Sequence, residues 1–297
     1  MGWRILYIEE AISVKLYLDN IRIEKETGFL TIPLLDIHTI VIDNQMISIT
    51  IPLIVKCSEY NINLVVCSIE HMPKASVISF NGNYQTPLIL KKQIMWDEIT
   101  KQCLHKLLIK NKIENQTDLL KHYNKNSNSI AKMVELASSI EIGDVTNREG
   151  LTAKIYFRAL FGSDFKRFDD DVINAGLNYG YAILRSQISK SIIAKGLHPS
   201  LGIIHKGANN FFNLSDDIIE VFRPIIDEYV YLNLVDALFL TKQNRIELIR
   251  CTTKDCLIKN QRQSVFNTIE IYIEKIINVF ETGDLSGYET VRLIYGV

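Results

Sequence analysis

The chain has 297 residues, 47% hydrophobic and 23% charged, which predicts a packed globular protein and excludes intrinsic disorder. Its 33 Lys and Arg nearly balance 34 Asp and Glu; this excludes a protein that coats nucleic acid through bulk charge, but allows a local basic face. No apolar run reaches the ~18 residues of a membrane span, and Arg4 and Glu9 interrupt the start where a signal peptide would be apolar. We therefore expect a cytoplasmic protein without membrane contact, whose five cysteines are reduced.

Residues 3–84 have the pattern of short strands separated by turns. Apolar and polar residues alternate on either side of Asp19-Asn20, which predicts a hairpin with a two-residue loop. A short helix is predicted at 52–60, and the turn residues 81–83 close this part of the chain. Strands this short need a sandwich or a roll to bury their inner faces. The further predicted strands lie at 29–32, 39–42, 47–51, 64–67 and 77–80.

After Pro87 the apolar residues recur with the helical period of 3.6. The change predicts an α+β protein, with an N-terminal β-sandwich or β-roll domain over 1–84 and a larger, all-α catalytic domain over 85–297. The segment 242–259 is basic, and we expect it to be rich in loops. Helices are predicted at 88–113, 130–140, 169–195, 224–240 and 265–280.

Three ionisable residues at the edges of predicted helices are candidates for a metal site. They are Glu149, His205 and Glu220, which are far apart along the chain. Two carboxylates and one imidazole are ligand types that hold a hard divalent cation. Such an ion suits chemistry on phosphodiesters, because it can activate a hydroxyl and neutralise charge on phosphate oxygens.

Each candidate also has an ordinary structural interpretation. Thr146 and Glu149 have the spacing of a capping box, in which Glu149 serves only a helix end. Glu220 is in a helix expected to start near residue 215, where an acid favours the helix dipole, and it is three residues from Arg223, with which it can pair. A lone histidine after an apolar run, as at His205, is commonly a hydrogen-bonded core residue. The residues alone leave these alternatives open.

Several separated blocks of sequence resemble one known family, the CRISPR-associated integrase that acts as the universal spacer-adaptation subunit. The block with most specificity is LHPSLGIIH, ending at His205, followed by DIIEVFRP over 217–224. The segment 61–73, NINLVVCSIEHMP, resembles the type II branch of that family. The other blocks are Glu149 with YFRALFG over 156–162, and INAGLNYGYAIL over 173–184.

The resemblance implies roles for the candidate residues. Glu149, His205 and Glu220 match the family's catalytic metal ligands for Mg²⁺ or Mn²⁺, and Asp217 matches a nearby acid that is either a supporting residue or an alternative ligand. The resemblance also implies a homodimer formed through the β-rich domains. Two such dimers flank a dimer of a small ferredoxin-like adaptation partner, which makes a heterohexamer. In the type II branch, a ring-shaped end-binding protein and the effector nuclease take part as well.

The implied reaction inserts new spacer DNA into a CRISPR array. The 3′-hydroxyl of a double-stranded prespacer attacks a phosphodiester of the CRISPR repeat, and water in its place would give endonuclease activity. A rival interpretation is a helical phosphohydrolase for small nucleotides, but the sequence lacks its His-Asp doublet. Another is a catalytically idle DNA-binding scaffold, against which the intact Glu149, His205 and Glu220 count.

DNA binding requires a local basic face on a protein with no net positive charge. Basic residues cluster in sequence around the candidate site, and we expect them to contact phosphates. For any one of them the alternative is a solvated surface charge. The candidates are Arg148, Lys154, Arg158, Lys166, Arg167, Arg185, Lys206 and Arg223.

Overall fold

The computed structural model describes residues 2–79 and 82–296, which form two compact units. The first unit runs to Pro87 and includes the later segment Ile193–Leu197; the second comprises Leu88–Ile192 and the chain from His198 onward. No helix in these ranges is long and apolar enough to cross a membrane. Strands dominate the first unit and helices the second, so the predicted α+β class is confirmed.

The first unit contains a mainly antiparallel sheet around the predicted hairpin. Tyr17 pairs with Asn20, so the loop consists of Leu18 and Asp19, one residue earlier than predicted. Both loop residues have positive φ angles, 46° and 55°, as in the turns whose twist matches that of the flanking strands. The strands are β2 (Ser13–Tyr17), β3 (Asn20–Lys25), β4 (Gly28–Pro33) and β6 (Ser48–Ile49), in the order β4-β3-β2-β6.

A second sheet in this unit contains parallel strands, which the sequence pattern did not indicate. Its strands are β1 (Arg4–Ile8), β5 (Ile37–Ile42), β7 (Asn63–Cys67) and β8 (Pro73–Val77), in the order β1-β5-β7-β8. The first three are mutually parallel, and all six residues of β5 are buried, as is usual for a parallel strand. Parallel neighbours need a crossover, and helix α1 (Ile51–Glu59) lies between β5 and β7 along the chain.

The edge strand β8 lies earlier than predicted. The sequence predicted a strand at 77–80, but β8 begins at Pro73 and ends at Val77. Proline lacks a backbone N–H, so the first residue of an edge strand is one of the few places where a sheet accepts it. Phe80, in the predicted strand, and Asn81, in the predicted turn, lie outside the described residues.

The rest of the chain is mainly helical. The single helix predicted at 88–113 is in fact two, because the carboxylate of Asp97 accepts a hydrogen bond from the Thr100 backbone N–H at 2.7 Å and caps the second. The helices are α2 (Thr86–Ile94), α3 (Glu98–His122), α4 (Ser127–Ser138), α5 (Arg148–Phe161), α6 (Val172–Ala194), α7 (Asn213–Ile219), α8 (Arg223–Asn233), α9 (Lys242–Arg250) and α10 (Val265–Thr282).

The second unit also contains a small antiparallel sheet, so the prediction of an all-α domain is corrected. The predicted loop-rich segment 242–259 forms α9, capped by Thr241, and the first strand of a hairpin whose loop residues Lys259 and Asn260 have positive φ. Strands of three or four residues are too short to display an alternating pattern. They are β9 (Asp255–Ile258), β10 (Gln261–Ser264) and β11 (Val291–Leu293), in the order β10-β9-β11.

Two glycines let helices α6 and α8 approach closely. A Cβ atom on Gly180 would lie 2.4 Å from Cγ2 of Ile226, and one on Gly176 would lie 2.3 Å from Cδ1 of Leu234, just after α8. Neither distance is sterically allowed. The spacing of four residues places both glycines on one face of α6, so this contact depends on the missing side chains.

We expect Gly180→Ala to lower the free energy of unfolding, because overpacking costs ~1–3 kcal/mol and exceeds the gain of about 1 kcal/mol from replacing glycine in a helix. Chemical denaturation measures the change. In a double-mutant cycle with Ile226→Ala, the two losses should be less than additive, because the alanine at 226 provides room. Full additivity, or a stabilised single variant, would show that the predicted clash does not occur.

Candidate active site

Glu149 is the second residue of α5, and loop side chains fix that end of the helix. The carboxylate of Asp144 accepts hydrogen bonds from the backbone N–H groups of Arg148 (2.8 Å) and Glu149 (3.0 Å). Asn147, rather than Thr146, is the capping residue, so the capping-box interpretation of Glu149 is wrong. The side chain of Glu149 is therefore not used to cap its own helix.

His205 is oriented by Asp217, whose carboxylate binds the backbone of residues 203–205 as well as the His205 ring. The carboxylate accepts hydrogen bonds from the backbone N–H groups of Ile203 (2.5 Å), Ile204 (3.2 Å) and His205 (3.2 Å). It also lies 2.7 Å from Nδ1 of His205, which leaves Nε2 as the ring nitrogen that can bind a ligand. A Cβ on Gly202 would lie 2.4 Å from the His205 carbonyl oxygen, so this tight loop requires glycine there.

Glu220 follows the last residue of α7, whereas the sequence predicted it inside a helix. One carboxylate oxygen, Oε1, pairs with Nη2 of Arg223 at 2.9 Å, as the structural alternative proposed. The other, Oε2, lies 2.5 Å from Nζ of Lys112. The same ammonium lies 2.7 Å from Oε1 of Glu149. The two candidate carboxylates therefore converge on one cationic group.

Helix α3 contributes two residues that sequence reasoning missed, Lys112 and His105. Nε2 of His105 lies 3.9 Å from Oε2 of Glu149. The two residues are seven apart, close to two helical turns, and both are buried on a helix whose neighbouring positions Leu108 and Ile109 are also buried. The available signal was two ionisable residues, seven positions apart, on an apolar helical face.

The charges around Glu220 compensate one another. Burial alone would raise the pKa of Glu220, but Arg223 and Lys112 outweigh it and lower that pKa to about 2. Burial would lower the pKa of Lys112, but Glu220 and Glu149 outweigh it and raise that pKa. Both carboxylate and ammonium are therefore charged at neutral pH.

The pKa values of the two histidines of the site are shifted in opposite directions. The hydrogen bond with Asp217 is the main cause of a raised pKa at His205, and Glu220 adds to it. His105 is buried, and its burial lowers its pKa, so its ring is neutral at neutral pH. Nδ1 of His105 is buried and has no hydrogen-bond partner among residues 2–79 and 82–296.

The carboxylates fit a divalent cation chemically, although the three predicted ligands are not gathered as tightly as a bound ion would require. Oε2 of Glu220 is buried and accepts no hydrogen bond of regular geometry, although the Lys112 ammonium is close. Hard oxygen ligands and one imidazole nitrogen suit Mg²⁺ or Mn²⁺. Glu149, His205 and Glu220 do not form a group whose ligand atoms all lie within 4.8 Å of one another.

In the part of the chain that the structure describes, one group of three acidic or histidine residues has its ligand atoms all within 4.8 Å of one another, and it lies in the first unit. It consists of Glu9, Asp43 and His71, which follow strands β1, β5 and β7. Asp43 already accepts hydrogen bonds at both oxygens, from the Tyr7 hydroxyl and from Nδ1 of His71. We interpret this group as a self-satisfied hydrogen-bond network.

The eight predicted DNA-contact residues comprise four that are paired within the chain, the half-buried Arg148 and three that are exposed. Arg167, Arg185, Lys206 and Arg223 each have an acidic or amide partner within the chain, such as Glu98 at 2.7 Å from Lys206. Arg148 is half-buried, and its Nε has no hydrogen-bond partner in the part of the chain that the structure describes. The exposed set consists of Lys154, Arg158 and Lys166.

Known proteins with similar sequences and structures point in the same direction. Residues 6–260 match the family described as CRISPR associated protein Cas1. A CRISPR-associated endonuclease Cas1 of Neisseria meningitidis serogroup C (strain 8013) is 32% identical over 292 residues, which cover 95% of this chain and 92% of that protein.

Similar solved structures support the fold. A casposase bound to integration product has a TM-score of 0.75 at 16% identity, covering 95% of this chain and 92% of the other. A chain of a Cas6-RT-Cas1–Cas2 complex has a TM-score of 0.75 at 17% identity. That match covers 100% of the present chain and 36% of the chain in the complex. At these identities the likeness establishes the fold alone. The family match and the meningococcal relative confirm the resemblance read from the sequence, and the chain belongs to the CRISPR associated protein Cas1 family.

Proposed function

We propose that the protein is a metal-dependent DNA integrase and endonuclease that inserts new spacer DNA into a CRISPR array. The 3′-hydroxyl of a captured fragment attacks a phosphodiester of the repeat; one ester forms while another breaks, and the repeat strand leaves as a new 3′-hydroxyl. The reaction conserves the number of phosphodiester bonds, so it needs no ATP. The observation that carries the proposal is that the carboxylates of Glu149 and Glu220 converge on one positive group, the Lys112 ammonium. The chain in which they do so belongs to the Cas1 family.

Glu149, Glu220 and Nε2 of His205 would hold the ion, Mg²⁺ or Mn²⁺. When bound, such an ion lowers the pKa of the attacking hydroxyl and neutralises charge that develops on the phosphate oxygens. An imidazole ligand suits Mn²⁺ better than Mg²⁺. Asp217 acts as a supporting residue rather than a ligand, because it binds Nδ1 of His205 and three backbone N–H groups.

The remaining parts of the proposal concern partners. The β-rich first unit would form the homodimer, and the second unit would be catalytic. The small ferredoxin-like partner would complete a heterohexamer that binds the prespacer and the repeat, joined in type II systems by the ring-shaped end-binding protein and the effector nuclease. Similar folds in a Cas6-RT-Cas1–Cas2 complex and in a casposase bound to an integration product support a small adaptation partner and DNA as partners.

Integration of a short DNA duplex into a repeat-bearing plasmid tests the function. The protein is assayed with its small adaptation partner, in Mn²⁺ and in EDTA. We expect a change in plasmid topology in Mn²⁺ and none in EDTA. Unchanged topology in both conditions, with the DNA still bound, would favour the idle-scaffold alternative.

We expect Glu149→Ala, His205→Ala and Glu220→Ala each to abolish integration, because each removes one proposed ligand. The readout is plasmid integration, with circular dichroism to confirm folding. Glu141→Ala is the matched control, because this acid is exposed and lies seven residues before the start of α5. Wild-type integration by any of the three would remove that residue from the proposed centre.

Asp217→Asn should lower integration by about 10- to 100-fold, the usual loss when a residue supporting a metal-binding histidine is changed. The amide cannot accept all the hydrogen bonds that orient His205. Asp216→Asn is the control, because its carboxylate contacts Asn210 and Arg185 instead. Equal activity of the two variants would contradict the positioning role of Asp217.

The exposed basic residues should determine how DNA binding depends on salt. If Lys154, Arg158 and Lys166 each contact a phosphate, each change to Gln should reduce the slope of log K against log [salt] by ~0.9. Lys132→Gln, an exposed change on α4, is the control and should leave the slope unaltered. Fluorescence anisotropy with labelled duplex measures the slopes. A triple variant with the wild-type slope would place the DNA elsewhere.

A further inference from the structure

We infer that Lys112 is a positioning residue that occupies the cation position between Glu149 and Glu220, and that its ammonium must leave at least one carboxylate when a divalent ion binds. The inference rests on the proposed function, because it takes these carboxylates to be the metal ligands. It goes beyond that function by giving the metal-free protein an internal substitute for the ion.

The geometry of Lys112 is that of a shared counter-ion. Its Nζ lies 2.7 Å from Oε1 of Glu149 and 2.5 Å from Oε2 of Glu220, and its side chain is only 8% exposed. These carboxylates belong to different parts of the chain, one in α5 and one after α7. An ion coordinated by both of these oxygens would need the space that the ammonium fills, since metal–oxygen distances are about 2.0–2.6 Å.

Charge balance gives Lys112 a function that its ionisable neighbours do not share. Arg223 pairs with the other oxygen of Glu220, whereas the further ionisable neighbour of Glu149 is His105, whose Nε2 lies 3.9 Å from Oε2 of Glu149. Without Lys112, Glu149 would lose its close positive partner, and the two carboxylates would face each other in a poorly hydrated site. Breaking a buried ion pair on one side is costly, because it leaves an uncompensated charge.

The same balance predicts the effect on metal affinity. A metal ion entering the wild-type site must displace an ammonium that already neutralises the carboxylates. In a variant with an uncharged residue at 112, the ion meets two uncompensated carboxylates and has no positive charge to displace. Removing one positive charge from the vicinity of a divalent ion should therefore tighten its binding.

The experiment compares Lys112→Met with Lys110→Met, in the full-length protein. Lys110 lies on the same helix but is exposed, which makes it a matched control. Isothermal titration with Mn²⁺ should show binding to Lys112→Met tighter than to wild type by roughly tenfold or more, and no change for Lys110→Met. Thermal unfolding without metal should occur at a lower temperature for Lys112→Met, and saturating Mn²⁺ should restore most of that loss.

A purely structural ion pair would give a different result. Mn²⁺ affinity equal to or weaker than that of wild type in folded Lys112→Met would overturn the inference, as would a loss of stability that Mn²⁺ does not recover. If Lys112→Met does not fold, Lys112→Gln undergoes the same measurements with the same two criteria. Failure of the proposed function is distinguishable: wild-type protein would then bind Mn²⁺ no better than its Glu149→Gln variant, whatever the result at Lys112.

Discussion

The arrangement of the second unit depends on two carboxylates, the buried one of Glu220 and the half-buried one of Glu149, which share one ammonium. Glu149, Glu220 and Lys112 come from three separate elements, and their ion pairs link α3 to the start of α5 and to the end of α7. Acidic side chains stay ionised in a buried place only when positive charge accompanies them. The ion pairs that keep these carboxylates charged therefore also join the helices that supply them.

Two further carboxylates, those of Asp144 and Asp217, hold the proposed ligands Glu149 and His205 in place. Asp144 accepts hydrogen bonds from the first N–H groups of α5 and so sets the direction of Glu149. Asp217 gathers three backbone N–H groups and the imidazole of His205 around one carboxylate. The functional residues thus lie at helix ends and in a loop, but neighbouring hydrogen bonds give them the rigidity that catalysis requires.

Local patterns in the sequence were enough to locate most elements. The 3.6-residue period located α6 and α10, and the alternation around Leu18 located the β2–β3 hairpin to within one loop residue. The parallel pairing of β1, β5 and β7 was not foreseen, because a buried strand shows no alternation and direction is not encoded locally. The three strands of the second unit were not predicted, because strands of three or four residues are too short to show an alternating pattern.

The sequence by itself determined which side chains could bind a metal, Glu149, His205 and Glu220, because their chemical types and surrounding motifs are visible in one dimension. Only the tertiary structure decided that Lys112 and His105 join them, since Lys112 and Glu149 are 37 residues apart and meet only when α3 packs beside α5. It also decided that Asp217 serves His205 through a hydrogen bond. Periodicity reports which face of an element is buried, whereas the partner of a buried charge depends on how separate elements pack together.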